Sequence, residues 1–336
     1  MKGVRFDFAA LAVVASSILL LYALLLGEVA GWLPAPDGVA QRAAGAWAPV
    51  LPVVRPEPPD AAQAVRPAPW LGSVNALVDA FQEADYRLDA VRKGDQAVPR
   101  IIVEKLPADL HRLESLPQRK RVFIKLILPL VLYVNEQILS ERGRLVELRD
   151  DIDRFGRIPD PSDRAWLARM GERYGLDTLD IDALLRRIDM IPPSLAVAQA
   201  AAESGWGSSR FAREGNAVFG QYTYVSGAGL VPLQRDKDRI HEVRSFSRLL
   251  DSVGAYMFNL NYHRAYGKFR RTREHQRKSR GRIDGYALAG TLKRYSERGD
   301  AYVKTIRAII KSGGLRALDR ARLGAGAPPA RVEPKV

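Results

Sequence analysis

The feature that most restricts the architecture of this chain is an uncharged apolar run near its amino end. Nineteen consecutive residues, Phe8 to Leu26, carry no charge. A helix of about this length crosses the hydrocarbon core of a bilayer, and the run is longer than the usual apolar region of a signal peptide. Lys2 and Arg5 precede it, so the positive-inside rule places the following chain outside the cytoplasm. The sequence predicts a membrane anchor in residues 1–33, with a cleaved signal peptide as the alternative.

Composition narrows the chemistry available to the remaining chain. There is no cysteine, which excludes a disulfide scaffold, cysteine-ligated metal sites and a thiol nucleophile. The four histidines show no i, i+4 pair, so no metal site and no cofactor is predicted. The formal net charge of +14 suits nucleic acid, an anionic membrane surface or an acidic polymer. An extracytoplasmic location argues against nucleic acid.

The chain divides by composition into further segments. Nine prolines fall between Pro34 and Pro69, which indicates an extended linker over 34–70. Helical periodicity predicts a helical segment over 71–158, in which an apolar run interrupted by Lys125 and Pro129 is expected to be a buried, kinked helix rather than a second membrane span. The remaining segments are a candidate catalytic domain over 159–318 and a disordered tail over 319–336.

One alanine-rich helix carries the strongest chemical signal. The residues LAVAQAAAES follow Ser194, which is a favourable N-cap, and the helix is expected to end at Gly205 or Gly207. Glu203 therefore lies at the carboxyl end of a buried helix. The negative helix terminus and the apolar Trp206 both disfavour its ionisation. A carboxyl group that stays protonated near neutral pH is what a glycosidase needs to protonate a leaving oxygen. A surface glutamate near a helix end is the alternative.

Three segments in this order resemble the glucosaminidase family, glycoside hydrolase family 73, and most closely its Bax-like branch. They read AQAAAESGWGSSRFAREGNAVFGQ at 198–221, FSRLLDSVGAYMFNLNYHRAY at 246–266 and RYSERGDAYVKTIRAII at 294–310. An earlier piece, VPRIIVEKLPADL, also resembles the Bax-like branch. The resemblance implies a mainly α (α+β) fold, with a lysozyme-like helical domain and a small β-hairpin lobe.

The resemblance also implies roles for individual residues. Glu203 matches the catalytic acid, and Tyr295 matches a tyrosine that lies across the cleft from it. The substrate-binding candidates are the motif residues Asn216, Phe219, Gly220 and Tyr302, together with the aromatic residues Trp206 and Tyr222, which suit stacking on sugar faces.

The second catalytic carboxylate is less clear from the sequence. The family usually places it on the β lobe in a "TTEY"-like strand, and this chain lacks that tetrapeptide. The hairpin is expected over 221–246, where Asp236, Asp238 and Glu242 are the candidates and Glu242 is the first choice. Surface carboxylates in a basic hairpin are the alternative. Retention or inversion at the anomeric carbon therefore stays open.

These expectations combine into one functional hypothesis and its alternatives. The leading hypothesis is a single-pass protein of the bacterial inner membrane whose periplasmic domain hydrolyses the β-1,4 bond after N-acetylglucosamine in peptidoglycan. The alternatives are a lytic transglycosylase and a non-catalytic wall-binding scaffold. Between Arg264 and Arg282 there are nine Lys or Arg residues and one acid, Glu274. This segment is either a solvated loop or a patch that binds anionic polymers or lipid head groups.

Overall fold

A computed structural model describes residues 72–223, 225–231 and 242–325. The predicted membrane helix, the proline-rich linker and the candidates Asp236 and Asp238 lie outside the described residues.

The described part of the chain is mainly helical, as the sequence predicts. Eleven α-helices are present in it. Their bounds are α1 Val74–Glu83, α2 Leu88–Lys93, α3 Leu116–Phe155, α4 Pro161–Arg173, α5 Ile181–Arg187, α6 Pro193–Ser204, α7 Arg210–Gly215, α8 Leu249–Tyr262, α9 Gly267–Arg280, α10 Gly285–Ala289 and α11 Asp300–Ser312. Short 3-10 helices occupy Leu110–Arg112, Arg264–Tyr266 and Leu315–Arg320.

Helix α3 is the long core helix of the molecule. It runs for 40 residues and contains Pro129 within its buried, amino-terminal half. Among the described residues it is the one helix long and apolar enough to cross a membrane, but 78% of its most apolar window is buried inside the fold. This agrees with the expectation of a buried core helix containing a proline.

The predicted β lobe is a small antiparallel sheet. Its strands are β1 Tyr222–Thr223, β2 Gly229–Leu230 and β3 Glu242–Arg244, in the order β1-β3-β2. Tyr222 pairs with Val243, and Leu230 pairs with the same residue from the other side. Strands of two or three residues bury little apolar surface, so this lobe depends on side chains that bind its turns.

Helix α6 runs through the centre of the fold and is buried along almost its whole length. Its alanines allow α3, α10 and α11 to approach closely. The predicted N-cap at Ser194 is wrong: Pro192 precedes the first turn, and the backbone N–H of Ser194 donates to the Asp319 carboxylate at 2.8 Å. Asp319 also accepts from the N–H of Gly285 at 2.9 Å, so one side chain binds the starts of α6 and α10.

The predicted start of the disordered tail, at residue 319, is wrong, because residues just after it belong to the folded body. Leu318 is fully buried, Asp319 binds two helix starts, and Leu323 forms a parallel bridge with Val98. Residues before and after position 158 also share one hydrophobic core, because α3 packs against both α6 and α8. The helical segment over 71–158 is therefore part of the body that positions α6.

The basic segment after Arg264 is a helix, not a loop. Along α9, Arg270 and Arg273 are buried. The guanidinium of Arg273 donates to backbone carbonyls at the end of α5, including that of Asp189 at 2.9 Å. Arg277 forms an ion pair with Asp189. Part of the positive charge in this segment therefore connects α9 to the end of α5, in neither a solvated loop nor a surface patch.

Candidate active site

Glu203 lies in the last turn of α6, just before the helix ends at Gly205 in the left-handed conformation, with a φ of 58°. The segment from Asn216 to Gly220 passes in front of its carboxyl group. A Cβ atom placed on Gly220 would lie 3.5 Å from Oε2 of Glu203, and Gly220 has a φ of +60°. A side chain at position 220 would be strained and would fill space in front of the carboxyl group.

The surroundings of Glu203 favour its protonated form. Burial raises the pKa of this carboxyl from its usual 4.5 to about 7, while a hydrogen bond from Tyr302 and the positive charge of Arg298 act in the opposite direction. The side chain nevertheless keeps partial solvent exposure. A group with these properties is available to exchange a proton near neutral pH.

Four tyrosines form a cluster beside Glu203; they come from α8, the 3-10 helix after it, the segment between α10 and α11, and α11. The rings of Tyr295 and Tyr302 stack with centroids 5.5 Å apart, and Tyr256 and Tyr266 lie 6.4 and 6.0 Å from Tyr295. Burial raises the pKa of every one of these hydroxyls, and the negative charge of Glu203 adds to the effect. The cluster is therefore a set of neutral hydroxyl groups around one carboxyl group.

Gln199 connects two of these tyrosines. The Tyr256 hydroxyl donates to Oε1 of Gln199 at 2.8 Å, and Nε2 of Gln199 donates to the Tyr302 oxygen at 2.8 Å. Tyr302 in turn is hydrogen-bonded to Glu203. Phe219 stacks on the Tyr256 ring at 3.8 Å with the ring planes 2° apart. The arrangement is a continuous path from α8 through α6 and α11 to the carboxyl group.

Three predicted site residues have packing partners that belong to the scaffold. Trp206 packs edge-on against Phe123 of α3, with Nζ of Lys120 5.2 Å from its ring. The cause that raises the pKa of Glu203 is burial.

Asn216 ends α7 in the left-handed conformation and joins three segments. Its Oδ1 accepts from the backbone N–H of Leu106 at 3.2 Å, and its Nδ2 donates to the carbonyl of Phe246 at 3.0 Å. Tyr222 belongs to a small cluster with Ala217 and Val243 beneath the sheet. Both residues hold the hairpin against the helices.

Glu242, the first choice for a second carboxylate, binds the backbone of the hairpin turn. Its Oε1 accepts from the N–H of Gly227 at 3.1 Å, and its Oε2 accepts from the N–H of Gly229 at 2.9 Å. The residue is buried. Both carboxylate oxygens thus have partners within the β lobe. Glu203 instead is hydrogen-bonded by Tyr302 from the helical side.

Comparison with known proteins shows which family this chain belongs to. The family model described as mannosyl-glycoprotein endo-beta-N-acetylglucosaminidase, the glucosaminidase family, matches residues 180–315. The curated protein Bax of Escherichia coli K12 is 33% identical over 209 residues, which cover 60% of this chain and 73% of that protein. The chain is a Bax-like member of the glucosaminidase family. No solved structure matches it significantly.

The glucosaminidase match contains every member of the tyrosine cluster around Glu203, from α5 to the last 3-10 helix. It leaves out α3, although α3 packs against both α6 and α8. The glucosaminidase domain of this chain therefore has part of its core supplied by residues that precede the matched region.

Sequence reasoning brought together Glu203, Gly220, Tyr295 and Tyr302, which the structure also places together. It assigned no role to Gln199 or Tyr266. One signal was available for Gln199: apart from Glu203, it is the only large polar side chain in this alanine-rich helix, and it lies one turn before Glu203. Within the described residues, no group of three or more His, Cys, Asp or Glu side chains is placed to hold a metal ion.

Proposed function

We propose that this protein is a peptidoglycan hydrolase in which Glu203 is the general acid. The observation that carries the proposal is a partly exposed carboxyl group whose pKa is raised to about 7 and which lies among four neutral tyrosines. Membership of the glucosaminidase family supports a glycosidase. The bond expected to break is the β-1,4 bond on the reducing side of N-acetylglucosamine, on a fold of the lysozyme-like type.

In the proposed reaction, protonated Glu203 donates to the glycosidic oxygen as the bond to the anomeric carbon breaks. Charge develops on the sugar ring in an oxocarbenium-like state. Tyr295 stacks on Tyr302 within the cluster. Its neutral hydroxyl positions the sugar or stabilises that charge. After leaving-group departure, water adds to the anomeric carbon and its proton is removed by the group that assists attack.

Two routes supply that assistance. A hairpin carboxylate activates the water, with Asp236, Asp238 and Glu242 as the candidates, or the substrate's own acetamido group attacks first. The two backbone N–H groups bound to Glu242 favour a role for it in holding the turn, which leaves Asp236, Asp238 or substrate assistance. We therefore propose Glu203 as the essential protein group and treat the second group as a separate test.

The proposed location follows from the amino end of the sequence. An anchor within residues 1–33 and a linker over 34–70 would hold the glucosaminidase domain in the periplasm, close to the inner membrane. Peptidoglycan strands and the membrane are then its partners.

The deciding experiment is digestion of purified peptidoglycan by the purified protein, followed by mass spectrometry of the products. Hydrolysis adds one water and leaves a new reducing end. An anhydro product would instead identify a lytic transglycosylase. Binding to the wall without any cleavage would identify a scaffold. Glu203→Gln, which keeps the shape of the side chain but removes the transferable proton, is the matched control.

A further inference from the structure

The side chain of Gln199 is a buried amide inside the catalytic helix. It has no solvent exposure, and it lies one turn before Glu203 on α6. A buried amide without partners is strongly disfavoured, so both of its polar ends need hydrogen bonds. They find them in the hydroxyls of Tyr256 and Tyr302, each at 2.8 Å.

The chemistry of the partners fixes the direction of these bonds. An ionised Glu203 only accepts, so the Tyr302 hydroxyl donates to it. The Tyr302 oxygen is then left to accept from Nε2 of Gln199, and Oε1 of Gln199 accepts from the Tyr256 hydroxyl. Every donor in this series points toward Glu203, and such series strengthen one another.

This direction matters most when Glu203 carries its proton. A lone tyrosine hydroxyl beside a carboxylic acid can accept the acid's proton in a hydrogen bond, which would turn that proton away from a substrate. Because Nε2 of Gln199 already donates to the Tyr302 oxygen, Tyr302 continues to donate. The proton of Glu203 then remains on the side of the open cleft.

We propose that Gln199 is a positioning residue that acts through Tyr302 to keep the acidic proton of Glu203 directed at the cleft. The catalytic meaning of this inference rests on the proposed function; the direction of the hydrogen bonds does not. The other titratable groups that act on Glu203 are Tyr256, Tyr266, Tyr295 and Arg298.

The test measures the pKa of Glu203 directly, by ¹³C NMR of protein labelled at the glutamate side-chain carboxyl carbon, with Glu203→Gln assigning the signal. Gln199→Met keeps the length of the side chain but donates no hydrogen bond. Tyr302 is then free to accept from protonated Glu203. The protonated form gains stability, so the pKa of Glu203 is expected to rise by at least about 0.5 unit, a typical fraction of a hydrogen bond to a charged group.

The matched control is Gln276→Met on α9. Gln276 is also a buried glutamine, and its Oε1 accepts from the backbone N–H of Asp284 at 2.8 Å. It lies on another helix and is not part of the hydrogen-bond series. Loss of a buried amide there is expected to lower stability without moving the Glu203 titration.

A double-mutant cycle separates positioning from general disturbance of the core. If Gln199 acts through Tyr302, then Gln199→Met should add no further shift once Tyr302→Phe is present, although each single change raises the pKa of Glu203. Peptidoglycan cleavage is measured in parallel, and Gln199→Met is expected to lower kcat by about tenfold or more at the parent's optimum pH.

The inference is overturned if Gln199→Met shifts the pKa of Glu203 equally in the parent and in Tyr302→Phe. It is also overturned if folded Gln199→Met shows no shift in that pKa. If Gln199→Met does not fold, Tyr256→Phe replaces it in the double-mutant cycle. The expected shift in the pKa of Glu203 is then smaller, because the amide of Gln199 remains. If the parent cleaves no glycan but the titration behaves as expected, the proposed function fails and the hydrogen-bond direction stands.

Discussion

The helical side of the site and its β lobe each contain a buried or half-buried glutamate, and the two are held in opposite ways. Glu203 ends a central helix and receives its hydrogen bond from a tyrosine hydroxyl. Glu242 lies on a three-residue strand, where two backbone N–H groups occupy both of its oxygens. Burial alone therefore does not distinguish the two carboxyl groups. What differs is the set of partners: Glu203 is hydrogen-bonded by Tyr302, whereas both oxygens of Glu242 accept from backbone N–H groups of the turn.

The largest expected effect is on activity at the helical side. Glu203→Gln should lower peptidoglycan cleavage by at least about 10²-fold, because proton donation contributes about 10²–10⁴-fold in such reactions. Release of new reducing ends from purified peptidoglycan measures it. Activity close to that of the parent in a folded variant would remove Glu203 from the mechanism.

A second prediction tests what holds α6 in place. Asp319→Ala should lower the free energy of unfolding by about 2 kcal/mol, because two helix starts lose their cap and each cap is worth about 1 kcal/mol. Urea unfolding followed by circular dichroism measures it. Asp300→Ala on exposed α11 surface provides a control. An unchanged midpoint for Asp319→Ala would show that backbone packing alone fixes α6.

The third prediction concerns pH. The folded-state pKa of Glu203, about 7, exceeds its ordinary value of 4.5, so the contribution of this group to stability is present below about pH 4.5 and is lost as pH rises through 7. Glu203→Gln removes that loss. The variant should match the parent near pH 4.5 and exceed it by about 1–2 kcal/mol at pH 8, since partial exposure screens part of the effect. Unfolding curves at both pH values test this, and a gain of equal size at both would contradict it.

The smallest effect is expected on the β side. In Glu242→Gln one oxygen is replaced by an NH₂ group that cannot accept, so one of the two backbone hydrogen bonds is lost, at a cost of about 1 kcal/mol. Cleavage activity should fall by less than about tenfold. A loss as large as that of Glu203→Gln, with stability unchanged, would make Glu242 a catalytic group after all. Asp236→Asn and Asp238→Asn then show whether either supplies the second carboxylate.

Much of the helical side was predictable because its signals are local. Gly205 marks the end of α6, and the placement of Glu203 at a helix end follows from that glycine. Pro129 within an apolar run likewise indicated a buried helix. Such features depend on neighbours within a few residues, which the sequence displays directly.

The features that sequence reasoning missed depend on distant partners. Asp319 caps a helix that starts more than a hundred residues earlier, and Arg273 is buried because it meets backbone carbonyls of another helix. Carbonyl partners leave no mark in the composition, so a run of arginines looks like a surface patch. The role of Glu242 was missed for the same reason, because its hydrogen-bond partners are backbone N–H groups of the turn, which the sequence does not display.

The position of Asp319 has a consequence for synthesis. A chain emerging from the ribosome presents its amino end first and its domains begin to fold as they emerge. All four tyrosines and Glu203 are already translated by Tyr302, yet the start of α6 gains its cap only when Asp319 arrives, and Leu323 then pairs with Val98. The hydrogen bonds that hold the start of α6 thus form only after every candidate catalytic group has been translated. A chain interrupted just before Asp319 carries all of those groups but lacks the side chain that binds the start of the helix bearing Glu203.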